Sequence, residues 1–202
     1  GGERLSPLAS MRLVLGDSPL RRLTAGGAAL MAGHACFQTL LVAYLVDRLG
    51  MGLALAGGMY AILQVFGACS RVVIGWSVDR LGNARVTLTC VAVLSLVGSL
   101  LVAGFSSAWP LLAIGIACAV AGTGSSGWYG AFLSEVARVA TAERAGFATG
   151  GVLFFVYGAH VAAPVVAALA VALTGSYVPV FVAIGALAGV AALGFVRLDA
   201  PG

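Results

Sequence analysis

GWSVDRLGNAR, residues 75–85, is a short polar segment between two long apolar runs of the sequence. Its charged side chains, those of Asp79, Arg80 and Arg85, favour a turn that lies in water. Gly75 allows a close helix contact, and Gly82 can adopt the left-handed backbone that commonly ends a helix. The segment therefore predicts that one apolar helix ends here and that the next begins directly after it.

The composition excludes an ordinary soluble domain. The chain of 202 residues is 61% hydrophobic and 9% charged, whereas soluble domains carry about 25% charged residues. Apolar stretches recur along nearly its whole length, and about 20 such residues cross a bilayer. The predicted fold class is therefore an all-α integral membrane bundle, with the lipid bilayer as a partner.

Each long apolar run predicts one membrane-spanning helix, which gives six spans. Their expected bounds are 19–46, 53–78, 86–105, 110–137, 146–173 and 179–196. Residues 1–17 are interpreted as a cytoplasmic linker, in which the part from Ser10 to Leu15 can form a helix on the membrane surface. Residues 18–197 are then the transmembrane domain, and residues 198–202 are a cytoplasmic tail. Because the chain begins with Gly1 rather than methionine, we expect it to be a piece of a longer polypeptide.

The arginine positions indicate the orientation in the membrane. If both termini are cytoplasmic, Arg48 lies in an outside turn and Arg71 lies inside the second span. The other nine arginines lie on the inside: Arg4, Arg12, Arg21, Arg22, Arg80, Arg85, Arg138, Arg144 and Arg197. This bias follows the positive-inside rule. The net charge of +4 is therefore interpreted as a topology signal, typical of a bacterial inner-membrane protein, and no nucleic-acid partner is expected.

The polar segment has the spacing Gly-x3-Asp-Arg-x-Gly-x2-Arg and lies between two predicted helices of membrane length. In this context it resembles the cytoplasmic signature loop of the major facilitator superfamily. Six spans, a polar lead-in and an arginine-bearing loop after the fourth span resemble the C-terminal half of such a transporter, over about residues 11–196. Asn83 and Ala84 stand where the family often has a basic residue, so this loop is less cationic than usual.

The resemblance implies a secondary active transporter that moves a small molecule by alternating access. Its partner would be an N-terminal six-helix half of the same polypeptide or a second copy of this chain. In that family the first and fourth helices of a half line the cavity, the second and fifth contact the other half, and the third and sixth face lipid. The signature loop implies a conformational latch, in which Asp79 contacts a helix N-terminus of the other half. Its members are Gly75, Asp79, Arg80, Gly82 and Arg85.

Arg71 is the main candidate for substrate binding. An arginine in the middle of a span costs roughly 2.5–3.5 kcal/mol on insertion scales, so it should face protein or a watery cavity. Tyr60, Gln64 and Arg71 share one helical face, and a guanidinium can bind a carboxylate through two hydrogen bonds. Some monocarboxylate carriers of the family have an arginine four residues before the glycine that corresponds to Gly75, so the resemblance points to a small organic anion. The alternative is that Arg71 reaches toward the cytoplasm and braces the signature loop.

Two histidines lie within the predicted spans. His34 and Gln38 share a face of the first helix. Tyr157 and His160 share a stripe of the fifth helix with Pro164, which is expected to kink it. A histidine can carry a proton near neutral pH, so H+ is a candidate coupling ion. The alternative for each histidine is a neutral ring that is hydrogen-bonded to a neighbouring helix.

The fourth span contains a glycine-rich stretch from Gly122 to Gly130. Its small residues permit bending and close helix contact, while Ser126, Trp128 and Tyr129 are candidates to line a cavity. Packing between helices is the alternative for them. Glu135 and Arg138 lie one turn apart near the end of this span and are interpreted as a surface ion pair.

The sequence disfavours an enzyme, because it has no GxSxG or HExxH motif. A non-transporting membrane protein, or a half-size protein that dimerises, is the remaining alternative. No cofactor is expected. The four cysteines lie within apolar runs without CxxC spacing, so neither a metal site nor a disulfide is expected. They are Cys36, Cys69, Cys90 and Cys118.

Overall fold

The computed structural model describes residues 7–140 and 144–197, without the side chains of Pro7, Asp79 and Leu81. These residues form eight helices and no strand: α1 Pro7–Gly16, α2 Ser18–Leu49, α3 Leu53–Leu81, α4 Ala84–Ala103, α5 Leu111–Ser126, α6 Tyr129–Val139, α7 Ala145–Thr174 and α8 Val178–Val196. The first part of the predicted linker, residues 1–6, and the predicted tail, residues 198–202, lie outside the described residues.

Six stretches of the described residues are long and apolar enough to cross a membrane. Five of them belong to the single helices α2, α3, α4, α7 and α8, and the sixth is α5 together with α6. The prediction of an all-α fold with six membrane-length helices is confirmed. α5 and α6 are separated by Gly127 and Trp128, so the fourth span consists of two helices placed end to end.

Left-handed glycines end three of the spans. Gly50, Gly82 and Gly175 have φ values of 67°, 64° and 64°, a region that other residues rarely adopt. The Gly82 amide donates to the Val78 carbonyl at 2.9 Å. The Asn83 side chain then accepts from the Val86 amide, which caps α4. With two residues between α3 and α4, the chain reverses as tightly as the polar segment suggests.

Close pairs of helices build the bundle: α4 packs with α8, α2 with α7, and α3 with α5. Glycines allow backbone approach at both sides of α5. A Cβ at Gly122 would overlap the Leu63 carbonyl of α3, and a Cβ at Gly124 would overlap the Ser95 backbone of α4. Small residues at helix contacts are the usual solution in membranes, where apolar burial gives helices no reason to associate. α5 is therefore held closely between α3 and α4.

The lead-in helix α1 is packed on the bundle. Val14 is buried, and the backbone of Ser10 lies against Gly151 of α7. A Cβ at Gly151 would overlap the Ser10 carbonyl. The helix expected from Ser10 to Leu15 is thus present within a slightly longer one, and it lies on α7.

A hydrogen bond at the other end of the bundle joins α2 to the start of α8. The Tyr177 hydroxyl donates to the Asp47 carboxylate at 2.6 Å. This hydrogen bond stabilises the protonated phenol, and it therefore raises the pKa of Tyr177 to about 12. The Tyr177 ring also packs against Tyr44, with 5.3 Å between ring centroids. The turn between α7 and α8 is therefore anchored to the end of α2.

α3 and α7 are the least buried of the six spans. Both have large apolar side chains that are at least half exposed, namely Phe66, Val72 and Trp76 on α3 and Phe154, Val161 and Leu169 on α7. These two helices thus present apolar faces that the described part of the chain does not cover.

We expect Gly122→Ala to destabilise the protein by about 2–3 kcal/mol, because the added methyl group would overlap the α3 backbone. Gly115→Ala is the matched control on the same helix. A Cβ at position 115 would lie 3.6 Å from the side chain of Ile62, which also belongs to α3, and this is an ordinary van der Waals distance. Thermal unfolding of the purified variants in detergent measures the difference. Equal stability of the two variants would contradict the close approach of α3 and α5.

Candidate functional site

A cavity of about 280 Å³ lies among α2, α3, α5, α6 and α7. Eight of the ten candidate side chains line it: His34, Gln38, Arg71, Ser126, Trp128, Tyr129, Tyr157 and His160. Met31 and Ser125 complete its wall. Four separate spans therefore contribute polar side chains to one place.

The cavity lies near the middle of the spans. His34 is the 17th residue of the 32-residue helix α2, and His160 is the 16th residue of the 30-residue helix α7. Gly127, between α5 and α6, is also near the middle of its span, Leu111–Val139. Helices of this length cross a bilayer from end to end. The polar side chains are therefore grouped close to the depth at which a bilayer contains least water.

The two histidines differ in their hydrogen bonding. His34 is buried, and its Nδ1 atom shares a hydrogen bond of 3.2 Å with the Ser126 hydroxyl. This bond joins the middle of α2 to the last residue of α5. The His160 ring lies 6.4 Å away between ring centroids. Its Nδ1 atom is buried and has no hydrogen-bond partner among the described residues. One imidazole is thus held by a neighbour, and the other keeps an unused nitrogen.

Aromatic side chains form another wall of the cavity. The hydroxyls of Tyr129 and Tyr157 are hydrogen-bonded to each other at 3.1 Å, which joins α6 to α7. Trp128 is 1% exposed, and its Nε1 atom donates to the Ser125 carbonyl at 2.9 Å. Because its N–H group is already satisfied, Trp128 gives the cavity an apolar surface. The tyrosine hydroxyls can each form a further hydrogen bond.

Arg71 supplies the positive charge of the cavity. Its side chain is exposed, and it forms no ion pair with a carboxylate that the structure describes. None of the lining residues is Asp or Glu in the described part of the chain. A guanidinium stays charged at any physiological pH. The charge, together with hydroxyl and imidazole donors, favours a negatively charged ligand.

Tyr60 and Gln64 do not line the cavity. They share a face of α3 with Arg71, but they lie eleven and seven residues before it, or about 16 Å and 10 Å along the helix axis. Tyr60 instead packs against the apolar cluster that contains Tyr44. Ser125 and Met31 line the cavity but were not predicted to do so. Ser125 adjoins the candidate Ser126, and Met31 lies one helical turn before the candidate His34.

The interpretation of Glu135 and Arg138 as a surface ion pair is wrong in one respect. Glu135 is 1% exposed, because α6 turns it toward α4. Its carboxylate accepts from Arg138 at 2.5 Å and also from Nε of Arg85 at 3.1 Å. Arg85 comes from the start of α4, so this carboxylate connects the signature loop, residues 75–85, to α6. Sequence spacing cannot predict this contact, because residues 85 and 135 lie on different helices.

Arg80 and Gly82 of the signature loop are exposed. The Arg80 guanidinium lies 4.7 Å from the centroid of the Trp76 ring, a favourable cation–π distance. The close contact expected at Gly75 is not found, since a Cβ there would meet no atom within 4 Å among the described residues. The reason is that Gly75 lies on a face of α3 that no described helix covers. The predicted contact of Asp79 falls on a side chain outside the described residues.

The described part of the chain does not bring metal-ligating side chains together. Within residues 7–140 and 144–197, no set of three or more His, Cys, Asp or Glu side chains is placed to hold a metal ion. All four cysteines are free thiols, with Cys36 and Cys118 buried and Cys69 and Cys90 exposed.

Six membrane-length helices, with a polar cavity at mid-depth, give the described part of the chain the fold of an integral membrane protein. The sequence matches the family model of the Major Facilitator Superfamily over residues 1–164. The chain therefore belongs to the Major Facilitator Superfamily, a family of membrane transporters and not of enzymes. The resemblance identified from the polar segment and the six spans is confirmed.

Chains of solved structures match the fold of this chain. One of the fourteen matching chains is a crystal structure of a variant of the E. coli fucose:proton symporter FucP, with a TM-score of 0.79 and 15% sequence identity. The match covers 100% of this chain and 48% of that chain, so this chain spans about half the length of the symporter. At this identity the likeness shows the fold alone. No curated protein matches the chain in sequence.

Glu135→Gln is expected to destabilise the protein by about 2 kcal/mol, because two arginines would lose the buried carboxylate that they share. Ser134→Ala, at the neighbouring exposed position, is the control and should stay within about 0.5 kcal/mol of the parent protein. Thermal unfolding in detergent measures both. A Glu135→Gln variant as stable as Ser134→Ala would show that the carboxylate does not tie α4 to α6.

Proposed function

We propose that the protein is a secondary active transporter of a small organic anion and that Arg71 binds the anion. One observation carries this proposal: the Arg71 guanidinium lies in the wall of a cavity at mid-depth and forms no ion pair with a described carboxylate. A carboxylate at Arg71 would accept two parallel N–H bonds. Charge pairing is also stronger there than in water, because the surrounding dielectric constant is low. The position of Arg71 in the cavity wall favours this role over that of a brace for the signature loop.

The transport mechanism that we propose is alternating access between this half and an N-terminal six-helix half of the same polypeptide. Two observations support such a partner. The chain spans 48% of the symporter that it resembles, and the apolar faces of α3 and α7 are left uncovered. A second copy of this chain is the alternative partner. On the arginine distribution, we assign the protein to the bacterial inner membrane with both ends of this segment in the cytoplasm.

We also propose that H+ is the coupling ion and that His34 and His160 carry it. Both imidazoles line the same cavity as Arg71, and the other described lining residues are neutral. A carboxylate bound in the cavity would be attracted to the guanidinium and also to a proton carried by either imidazole. Anion and proton would therefore favour each other's binding, by the reciprocity that holds for any pair of linked ligands. Such linkage favours the state in which anion and proton are bound together, which is the state that a symporter carries across the membrane.

Arg71→Ala is expected to abolish saturable uptake of small carboxylates, because the anion would lose its charge partner. Arg71→Lys should retain part of it, with kcat/KM lowered about tenfold or more, since an ammonium cannot form the planar two-point contact. Uptake of a panel of radiolabelled carboxylates into proteoliposomes that contain the full-length protein measures this.

Gln64→Ala is the matched control for Arg71, because Gln64 lies on the same helix outside the cavity. It should leave uptake unchanged. Carboxylate uptake that persists in a folded Arg71→Ala variant, or transport restricted to neutral or cationic compounds, would contradict the organic-anion proposal.

His34→Gln combined with His160→Gln is expected to abolish carboxylate accumulation driven by a proton gradient. Exchange of labelled for unlabelled substrate should continue, because exchange needs no net proton movement. A pH-sensitive dye inside the vesicles measures the accompanying proton flux. Gln38→Ala, which changes a lining residue that does not titrate, serves as the control and should preserve coupling. Substrate-driven proton uptake in the double histidine variant would exclude these residues as the proton carriers.

A further inference from the structure

A second cavity lies between α7 and α8 and has α2 as its floor. Its volume is about 380 Å³, and seven of its lining side chains are alanines. The two helices follow each other in the chain, yet they are barely in contact. Apart from the Cys36 thiol, no described lining side chain can form a hydrogen bond. We call this cavity, lined by Ala32, Cys36, residues 159–170 of α7 and residues 179–187 of α8, the alanine groove.

The alanine groove and the candidate functional site use opposite faces of α2. Cys36 is two residues from both His34 and Gln38, which is about 200° around the helix in each case. A second transporter half must face the functional site to enclose a substrate. α2 therefore lies between that half and the alanine groove. The groove faces the side of the bundle on which lipid is the neighbour.

The alanine groove extends from the turn between α7 and α8 to the middle of the spans. On α7 it reaches from Ala170 to Ala159, eleven residues or about 16 Å. This is close to half of the hydrocarbon core of a bilayer, which is about 30 Å thick. On α8 it begins at Pro179, in the first turn of the helix. The groove thus has the length and direction of a lipid chain within one leaflet.

We propose that the alanine groove binds an acyl chain of a phospholipid from the leaflet at the α7–α8 turn. An empty apolar cavity loses the dispersion contacts of its walls, and alkyl chains are the apolar material on this side. The exposed side chains of Val166 and Leu187 line it and extend its apolar surface. Because the lining is apolar, the site recognises the chain and not the headgroup. The bound chain fills the space that the alanine side chains leave between α7 and α8.

The experiment uses the full-length protein in phosphatidylcholine vesicles that contain a small share of a photoreactive phosphatidylcholine. One acyl chain of this probe carries a diazirine near its methyl end. On illumination the carbene inserts into C–H bonds, so no reactive thiol is needed. Peptide mass spectrometry should find label on residues 32–36 of α2, where Cys36 is 3% exposed and can be reached through the groove. A probe with its diazirine near the carboxyl end of the chain should instead label the region of Pro179.

Ala163→Phe fills the groove and should lower the label on residues 32–36 about tenfold, because a close-packed space admits no chain. Ala183→Leu is a milder filling variant, which decides the matter if Ala163→Phe does not fold. Val97→Phe adds the same bulk to an exposed position of α4 and is the matched control. It should leave the label on α2 unchanged.

Three results would overturn the proposal. The first is an absence of label on residues 32–36 in the parent protein, which is also the result expected if another helix covered the groove. The second is undiminished label in a folded filling variant. The third is a label that disappears when phosphatidylglycerol replaces phosphatidylcholine as the probe, because the site would then recognise a headgroup.

Discussion

Water is scarce in the hydrocarbon core of a bilayer, so a polar side chain on a spanning helix needs a polar neighbour or a cavity. This constraint explains why polar groups from four spans meet at one depth. The hydrogen bonds between His34 and Ser126 and between Tyr129 and Tyr157 pair four of these side chains with one another. Arg71 differs, because its charge has no described counter-charge. That unbalanced charge is the strongest physical reason to expect a ligand.

Close backbone packing determines where this polar group forms. Gly122 and Gly124 bring α5 against α3 and α4, which fixes the height at which α5 ends. The Ser126 side chain lies where a Cβ at Gly67 would collide with it, so a missing side chain on α3 makes room for the hydroxyl that His34 contacts. Glycines that look purely structural in the sequence therefore position the polar residues of the cavity.

The spans, and most of the side chains that line the cavity, could be predicted from the sequence, because apolar length and helical periodicity are local properties. A shared helical face does not imply a shared depth: Tyr60 and Gln64 lie on the same face of α3 as Arg71 but at other positions along its axis. Glu135 shows another limit. Its spacing to Arg138 is visible in the sequence, but its burial and its bond to Arg85 depend on how α4 packs against α6. Contacts of that kind follow from tertiary structure, which periodicity does not encode.

The break at Gly127 makes α6 a separate rigid segment, and this has a mechanical consequence. α6 is about 16 Å long, with Tyr129 in the cavity at one end and Arg138 in the shared ion pair at the other. A rotation of α6 about the break would move Arg138 farther than Tyr129, because Arg138 lies at the end away from the break. Such a segment works as a lever, which converts a small movement at the cavity into a strain on the link between Glu135 and the signature loop.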